Sequence, residues 1–402
     1  MRMRSNALPA QSEPFSVEHE MRVAIDVRQY PLSDTGGTTY AVGLLKHLPK
    51  YLDHDFVFIV NSKTEQFARD ILGDRHELVV EDHKSLRPSG AVAIAQRIAF
   101  DLSPMSRHLV DDLNADIAHF PGDRISPRNV KTPAVLTFFG GNHFVLPNHV
   151  YWQNKFVQRI ARRNVRKCLQ IAKAILVPSV FVKSVLVNQV DIPPERIFVR
   201  ELVSWASGIE TETECEKPKN LPECNRFLLF TSSHITYKNH FRLLGGYAKL
   251  SKSIRESMPL IITGRMPEGM ENRVRELKLE NSVHHLGFVS RSALVWLYRN
   301  ALAYVHPSLY EAGGSFSMFE AAFSKTPVIC SQLNSMLEMM PNAIHFDPYD
   351  EESIAEKLVF AAENNLSETA NKGFERVKSF KLEESVAVTG RAYEFACAGK
   401  AS

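Results

Sequence analysis

Short runs that are apolar throughout alternate along this 402-residue chain with stretches whose apolar positions recur at helical spacing. The run Arg22-Val23-Ala24-Ile25-Asp26 reads as a buried strand, with further strands expected at 56–60, 78–80, 117–120, 134–138 and 174–177. Helical patterns lie between most of them, the first from about Thr39 to Leu52. Strands apolar at every position are covered on both faces, so this alternation predicts an open parallel sheet with helices on each side. Between Glu210 and Asn225 acids, lysines and two prolines replace the pattern, a break that reads as a linker. The alternation then restarts, with strands at 227–230, 260–263, 283–286, 303–305 and 327–330, and helices at about 239–251, 271–279, 291–299 and 316–323. The expectation is an α/β chain of two Rossmann-like, doubly wound domains facing each other across a cleft. They cover 21–209 and 226–402, joined by 210–225, with a disordered extension over 1–20 and a C-terminal helix free to return to the first domain.

Composition narrows this picture. Hydrophobic content of 44% and charged content of 23% are those of a globular protein, and 402 residues exceed one ordinary core. No apolar run approaches the ~20 residues of a membrane span, and the first residues lack the apolar centre of a signal peptide, so a cytoplasmic location is expected. Five scattered cysteines, an odd number, give neither a disulfide framework nor paired zinc spacing. A net charge of +3 provides no general attraction to nucleic acid. Arg159, Arg162, Arg163 and Arg166 crowd one helical segment with Lys167 and Lys173. A solvated helix face is the plainer explanation; the other is peripheral contact with anionic headgroups at the inner face of the cell membrane.

The densest chemistry lies in Glu311-Ala312-Gly313-Gly314-Ser315-Phe316-Ser317-Met318-Phe319-Glu320. Two carboxylates flank a glycine turn that opens a helix; Gly313 and Gly314 leave backbone N–H groups uncovered at its positive end, and Ser315 beside them is a further donor-binding candidate. An ionised Glu accepts hydrogen bonds without donating, which suits vicinal diols, while the turn suits phosphate; a sugar nucleotide offers both. Exposed helix-terminus acids are the bland alternative. Two other loops have the same character. Gly36, Gly37 and Thr38 follow the first strand, and Ser232, Ser233, His234 and Lys238 follow the first strand of the second half. Asp53-His54-Asp55 reads as a surface turn, not a metal motif.

The run His306-Pro307-Ser308-Leu309-Tyr310-Glu311, with Glu320-Ala321-Ala322 and Thr326-Pro327-Val328-Ile329, closely resembles the signature of the family-4 retaining glycosyltransferases of GT-B fold. The resemblance implies that Glu311 faces the donor sugar and Glu320 holds the nucleotide ribose. Eight residues separate them here, where the family usually has seven, so one extra residue must be absorbed before the helix. Lys238-Asn239-His240 resembles the motif whose lysine neutralises the donor diphosphate, with Ser232, Ser233 and His234 where many relatives carry a second cation. His285, in the strand ending at Gly287, is expected near the base. On the acceptor side, Phe139 and Gly140 stand where many members have a His-Asp pair. His143, four residues beyond Phe139, is the candidate for the reacting centre, with Gly140, Gly141 and Asn142 shaping the acceptor pocket beside Gly36, Gly37 and Thr38. Ser179 is expected to cap a helix. The implied activity is retaining transfer of a hexose, mannose included, from a GDP- or UDP-linked sugar to a saccharide or lipid-linked saccharide. The setting would be surface-polysaccharide synthesis (O-antigen, capsule or exopolysaccharide), with no cofactor and no metal. An inactive binding or assembly subunit and a sugar-nucleotide epimerase on the same fold are the alternatives.

Overall fold

The computed structural model describes residues 20–28, 30, 36–82, 108–125, 129–146 and 155–398. The expected N-terminal extension lies outside them, apart from Glu20. Among the described residues the strands form two sheets, parallel throughout. The first contains β1 (Arg22–Asp26), β2 (Asp55–Val60), β3 (Glu77–Val80), β4 (Ile117–Pro121), β5 (Ala134–Thr137), β6 (Ala174–Val177) and β7 (Ile197–Val199), in the order β3-β2-β1-β4-β5-β6-β7. The second contains β8 (Leu228–Thr231), β9 (Leu260–Thr263), β10 (Val283–Gly287), β11 (Ala303–His306), β12 (Val328–Ser331) and β13 (Ile344–Phe346), in the order β10-β9-β8-β11-β12-β13. Val, Ile, Leu and Phe fill the central strands and are almost wholly buried, the composition a sheet covered on both faces requires.

Each sheet grows outward in both directions from a central strand pair, β1 and β4 in the first and β8 and β11 in the second. The connections leave such a pair in opposite directions, so its carboxyl ends open a crevice where ligands bind in open α/β sheets. In this chain Lys238 follows β8, Glu311 follows β11 and Asp123 follows β4.

The two lobes meet earlier than the sequence break implies. Leu202 and Trp205 pack in the first core, whereas Val203, Ala206 and Ile209 belong to the second, so the chain crosses there. The expected linker, 210–225, is a strap on the second lobe: Leu221 is buried in its core, and Asn220 donates from its amide to Leu286 O at 3.4 Å. The last helix, Leu382–Ala398, lies against β4 to β7 and the helix Gly36–Tyr51. It is pinned by Tyr393 to His119 Nδ1 (2.8 Å), and by Ser385 Oγ, which accepts from Trp205 Nε1 (2.9 Å) and donates to Glu201 O (2.7 Å). A second tie crosses between the lobes. Both carboxylate oxygens of Glu338 accept from the first N–H groups of the helix Val180–Val190, Val180 at 2.8 Å and Phe181 at 3.1 Å. Ser179 caps that helix through Val182 N (3.1 Å) and also donates to Ala312 O in the other lobe. Asp55, read as part of a surface turn, opens β2 and pairs with Arg22, and His54 beside it is buried.

Candidate active site

The loop after β8 ends in a single turn, Thr236–Lys238, and Asn239 takes a left-handed conformation (φ 65°) before the helix His240–Ala248. Buried Asn239 donates from its amide to Pro307 O (3.0 Å) and Pro348 O (2.8 Å), and Leu309 N donates to Tyr237 O (2.7 Å). These bonds lash the β8 and β11 loops together, which carries Lys238 to Glu311. Lys238 Nζ lies 2.5 Å from Glu311 Oε1, and His306 Nε2 lies 2.8 Å from the same oxygen.

Glu311 is 8% exposed. Burial alone would raise its pKa, but the Lys238 ammonium and the hydrogen bond from His306 outweigh it and bring the carboxyl down from 4.5 to about 2. The group is therefore an anion at neutral pH. An ionised carboxylate only accepts, so Nε2 of His306 carries the proton and Nδ1 accepts from the Tyr304 hydroxyl (3.1 Å). Burial lowers the pKa of His306, Glu311 partly opposing it, so the imidazole stays neutral. Ser335 Oγ fixes the Glu311 carbonyl at 2.6 Å. Oε2 of Glu311 has no hydrogen-bond partner among the described residues, which leaves an anchored anion with one oxygen to offer a ligand.

Glu320 sits in the helix Phe316–Phe323, with Oε1 on Arg291 Nη1 (2.5 Å) and Oε2 accepting from the Tyr298 hydroxyl (3.3 Å). The Tyr298 ring packs edge-on against Tyr304 (centroids 5.9 Å apart), whose hydroxyl reaches His306, so both glutamates belong to one aromatic and polar cluster. Two partners leave Glu320 acceptor capacity, since a carboxylate has about four lone-pair sites.

In the turn before residue 316, Gly314 has φ 87° and a Cβ there would meet the Phe319 ring at 2.3 Å. Gly313 has a different reason: its Cβ would lie 2.7 Å from both Cβ and O of Pro178, so the lobes touch there. Ser315 bonds Ser317 Oγ at 2.9 Å. Ser232 N donates to Thr263 O (3.2 Å), Ser233 O accepts from Ser232 Oγ (3.2 Å), and His234 is exposed beside them. His285 donates from Nε2 to Gly264 O (2.7 Å), bracing the end of β9.

On the opposite lobe, Gly36 and Gly37 are the first residues of the helix Gly36–Tyr51, three residues ahead of the expected start; Thr38 follows in its first turn. His143 lies in the one-turn helix Asn142–Val145, and its side chain is outside the described structure. Gly141 and Asn142 meet the donor-side loop directly, while Gly140 faces Asp123 and Phe138 of its own lobe. Tyr310, next to Glu311, donates to Phe139 O (3.3 Å) and accepts from Asn142 N–H, and a Cβ on Gly141 would lie 2.4 Å from its hydroxyl. Sequence reasoning missed Asp123, whose Oδ1 accepts from Phe139 N (2.7 Å) and Gly140 N (2.8 Å). Burial raises the pKa of this carboxyl, and those two bonds and Arg124 oppose the rise. Pro121-Gly122-Asp123 carries only a turn signal, which is why it escaped notice.

Two doubly wound lobes with facing switch-point loops, one bearing an anchored carboxylate beside an ammonium, define a GT-B glycosyltransferase. The chain belongs to the family-4, group 1 glycosyltransferases: the model described as Glycosyl transferases group 1 matches residues 212–378, and that described as Glycosyltransferase Family 4 matches 35–200. It is 28% identical over 277 residues to O-antigen chain mannosyltransferase B of Escherichia coli, covering 65% of this chain and 70% of that protein. Among solved structures, sucrose-phosphate synthase from Thermosynechococcus elongatus superposes with a TM-score of 0.69 at 15% identity, over 93% of this chain and 98% of its own. A glycosyltransferase from Rickettsia africae gives 0.64 at 18%, over 95% and 100%. These two likenesses concern the fold.

Proposed function

We propose that this glycosyltransferase moves a hexose, with mannose the leading choice, from a nucleoside diphosphate sugar to a hydroxyl of a saccharide or lipid-linked saccharide, with retention at the anomeric carbon. The observation that carries the reading is the Lys238–Glu311 pair at the β8/β11 crevice. Glu311 is ionised and offers Oε2 to the sugar hydroxyls and to the positive charge that develops at the anomeric carbon. Lys238, a compact ammonium, exchanges its carboxylate contact for the diphosphate as negative charge grows on it. The N-terminus of the helix Phe316–Phe323 adds its dipole to the same task. The bond from the anomeric carbon to the phosphate oxygen breaks, the bond to the acceptor oxygen forms on the same face, and the acceptor proton passes to the departing phosphate. Little acid–base work is left to the protein, which positions the partners and excludes water.

Mannose is favoured by the named activity of the Escherichia coli relative, and surface-polysaccharide synthesis by its O-antigen context. Arg159, Arg163 and Arg166 share an exposed face of the helix Lys155–Ile171, suited to a lipid-linked acceptor at an anionic surface; Arg162 lies half-buried beside them. No helix among the described residues is long and apolar enough to cross a membrane. No metal enters this scheme, so turnover should survive EDTA. The test is release of nucleoside diphosphate from GDP-mannose and a panel of UDP-sugars, with the product anomer read by NMR. Donor binding without release under any acceptor would instead favour a binding subunit, and an altered sugar nucleotide an epimerase.

A further inference from the structure

With the donor at the second lobe's crevice, as proposed above, the first lobe is left to the acceptor, and one side chain at its switch point is held in a way that invites a second use. Asp123 lies two residues past β4, on the loop that faces the β1/β4 crevice. Its Oδ1 alone ties the β5 loop, through Phe139 N and Gly140 N. An asparagine oxygen would perform that tie equally well, without the cost of half-burying a carboxylate. Oδ2 has no hydrogen-bond partner among the described residues and is not enclosed. Gly140 keeps the space beside it open, since a Cβ there would stand 2.5 Å from Oδ2. The loop that Asp123 braces is the one Tyr310 touches, and Tyr310 is the neighbour of Glu311. The free oxygen of Glu311 and the free oxygen of Asp123 therefore belong to loops in direct contact across the lobes.

We propose that Asp123 is the acceptor-binding carboxylate, its Oδ2 receiving a hydrogen bond from a hydroxyl of the incoming saccharide and thereby orienting it toward the donor carbon. The inference rests on the transfer reading above. Acceptance by a charged oxygen is among the stronger hydrogen bonds, and a site built around it rejects a partner that cannot donate.

Asp123→Asn tests this, because the amide oxygen keeps the loop tie while a donor group replaces Oδ2. GDP-mannose serves as donor probe and octyl α-mannoside as acceptor probe, with three readouts: donor-induced thermal shift, acceptor-free hydrolysis and transfer. The expected result is thermal shift and hydrolysis within twofold of the unmodified protein, and transfer down at least 100-fold. The inference is overturned if Asp123→Asn transfers normally, if hydrolysis falls in step with transfer, or if the variant loses its cooperative melt, since each makes the carboxylate merely structural. It is also overturned if the unmodified protein hydrolyses the donor but never glycosylates the mannoside. An unmodified protein that releases no nucleotide from any donor defeats the transfer reading itself, a different and recognisable failure.

Discussion

Replacing Glu311 by Gln tests whether the Lys238 ion pair is what holds this carboxylate. The group falls from an ordinary pKa of 4.5 to about 2 in the folded protein, and at about 1.4 kcal/mol per unit this amounts to about 3 kcal/mol favouring the anion. The folded-state value lies below the unfolded one, so the stabilisation is complete above about pH 5 and is lost as pH falls toward 2. At pH 3.5, between the unfolded and folded values, roughly 1–2 kcal/mol of it has gone. Glu311→Gln removes the charge at every pH and leaves Lys238, with a 13% exposed side chain, facing a neutral amide. Guanidinium unfolding at pH 7 should find the variant about 3 kcal/mol less stable, and the deficit should shrink by roughly 1–2 kcal/mol at pH 3.5. Nucleotide release from GDP-mannose should fall by about 10²-fold or more, as for loss of one preorganised electrostatic group. Equal stability at pH 7, or a deficit that does not change with pH, would refute the argument that Lys238 and His306 set the state of this carboxylate.

Lys238→Met should cut nucleotide release by about 10²- to 10³-fold in a coupled assay, while EDTA leaves the unmodified enzyme unchanged; a loss below threefold would remove Lys238 from leaving-group stabilisation. Glu338→Ala uncaps Val180 N and Phe181 N and should cost about 1–2 kcal/mol on thermal unfolding. Small-angle scattering should show the lobes further apart in that variant, and an unchanged radius of gyration would mean the cap does not hold them. Gly313→Ala drives a Cβ to 2.7 Å from Pro178 and should lower transfer by about tenfold as the lobes separate, about 1.4 kcal/mol on the barrier. Gly373→Ala, where the nearest atom is Met340 Cε at 3.6 Å, should leave transfer unchanged and serves as its control.

The parts of this fold legible in the chain were those with long or emphatic apolar signals. The strands at 22–26, 174–177 and 260–263 are read to the residue, because each is a short run enclosed on both faces. β7 and β13 escape, being three-residue strands with half-buried positions whose pattern does not rise above the surrounding loops. Gly36 and Gly37 argue locally for a loop by propensity, yet the helix begins with them.

The site divides along a similar line, for a topological reason. Glu311 and Glu320 share one strand-turn-helix segment, so their relation is written in their spacing. Lys238 lies 73 residues from Glu311, and what joins them is the adjacency of β8 and β11 in the sheet, together with Asn239 bonding to Pro307 across the two loops. Asp123 is further from view, since its partners are backbone N–H groups that no residue identity announces. Strand order is decided by which crossovers pack, a property of the whole sheet, so contacts at a switch point are invisible to any local pattern even when every strand has been found. The crevice is thus specified by topology, and the residues that arm it need only be short-range neighbours of the correct strand ends. Glu311 and Asp123 satisfy that condition in the same way: each follows a central strand, each has one oxygen anchored by its own lobe, and each leaves the other oxygen without a partner among the described residues.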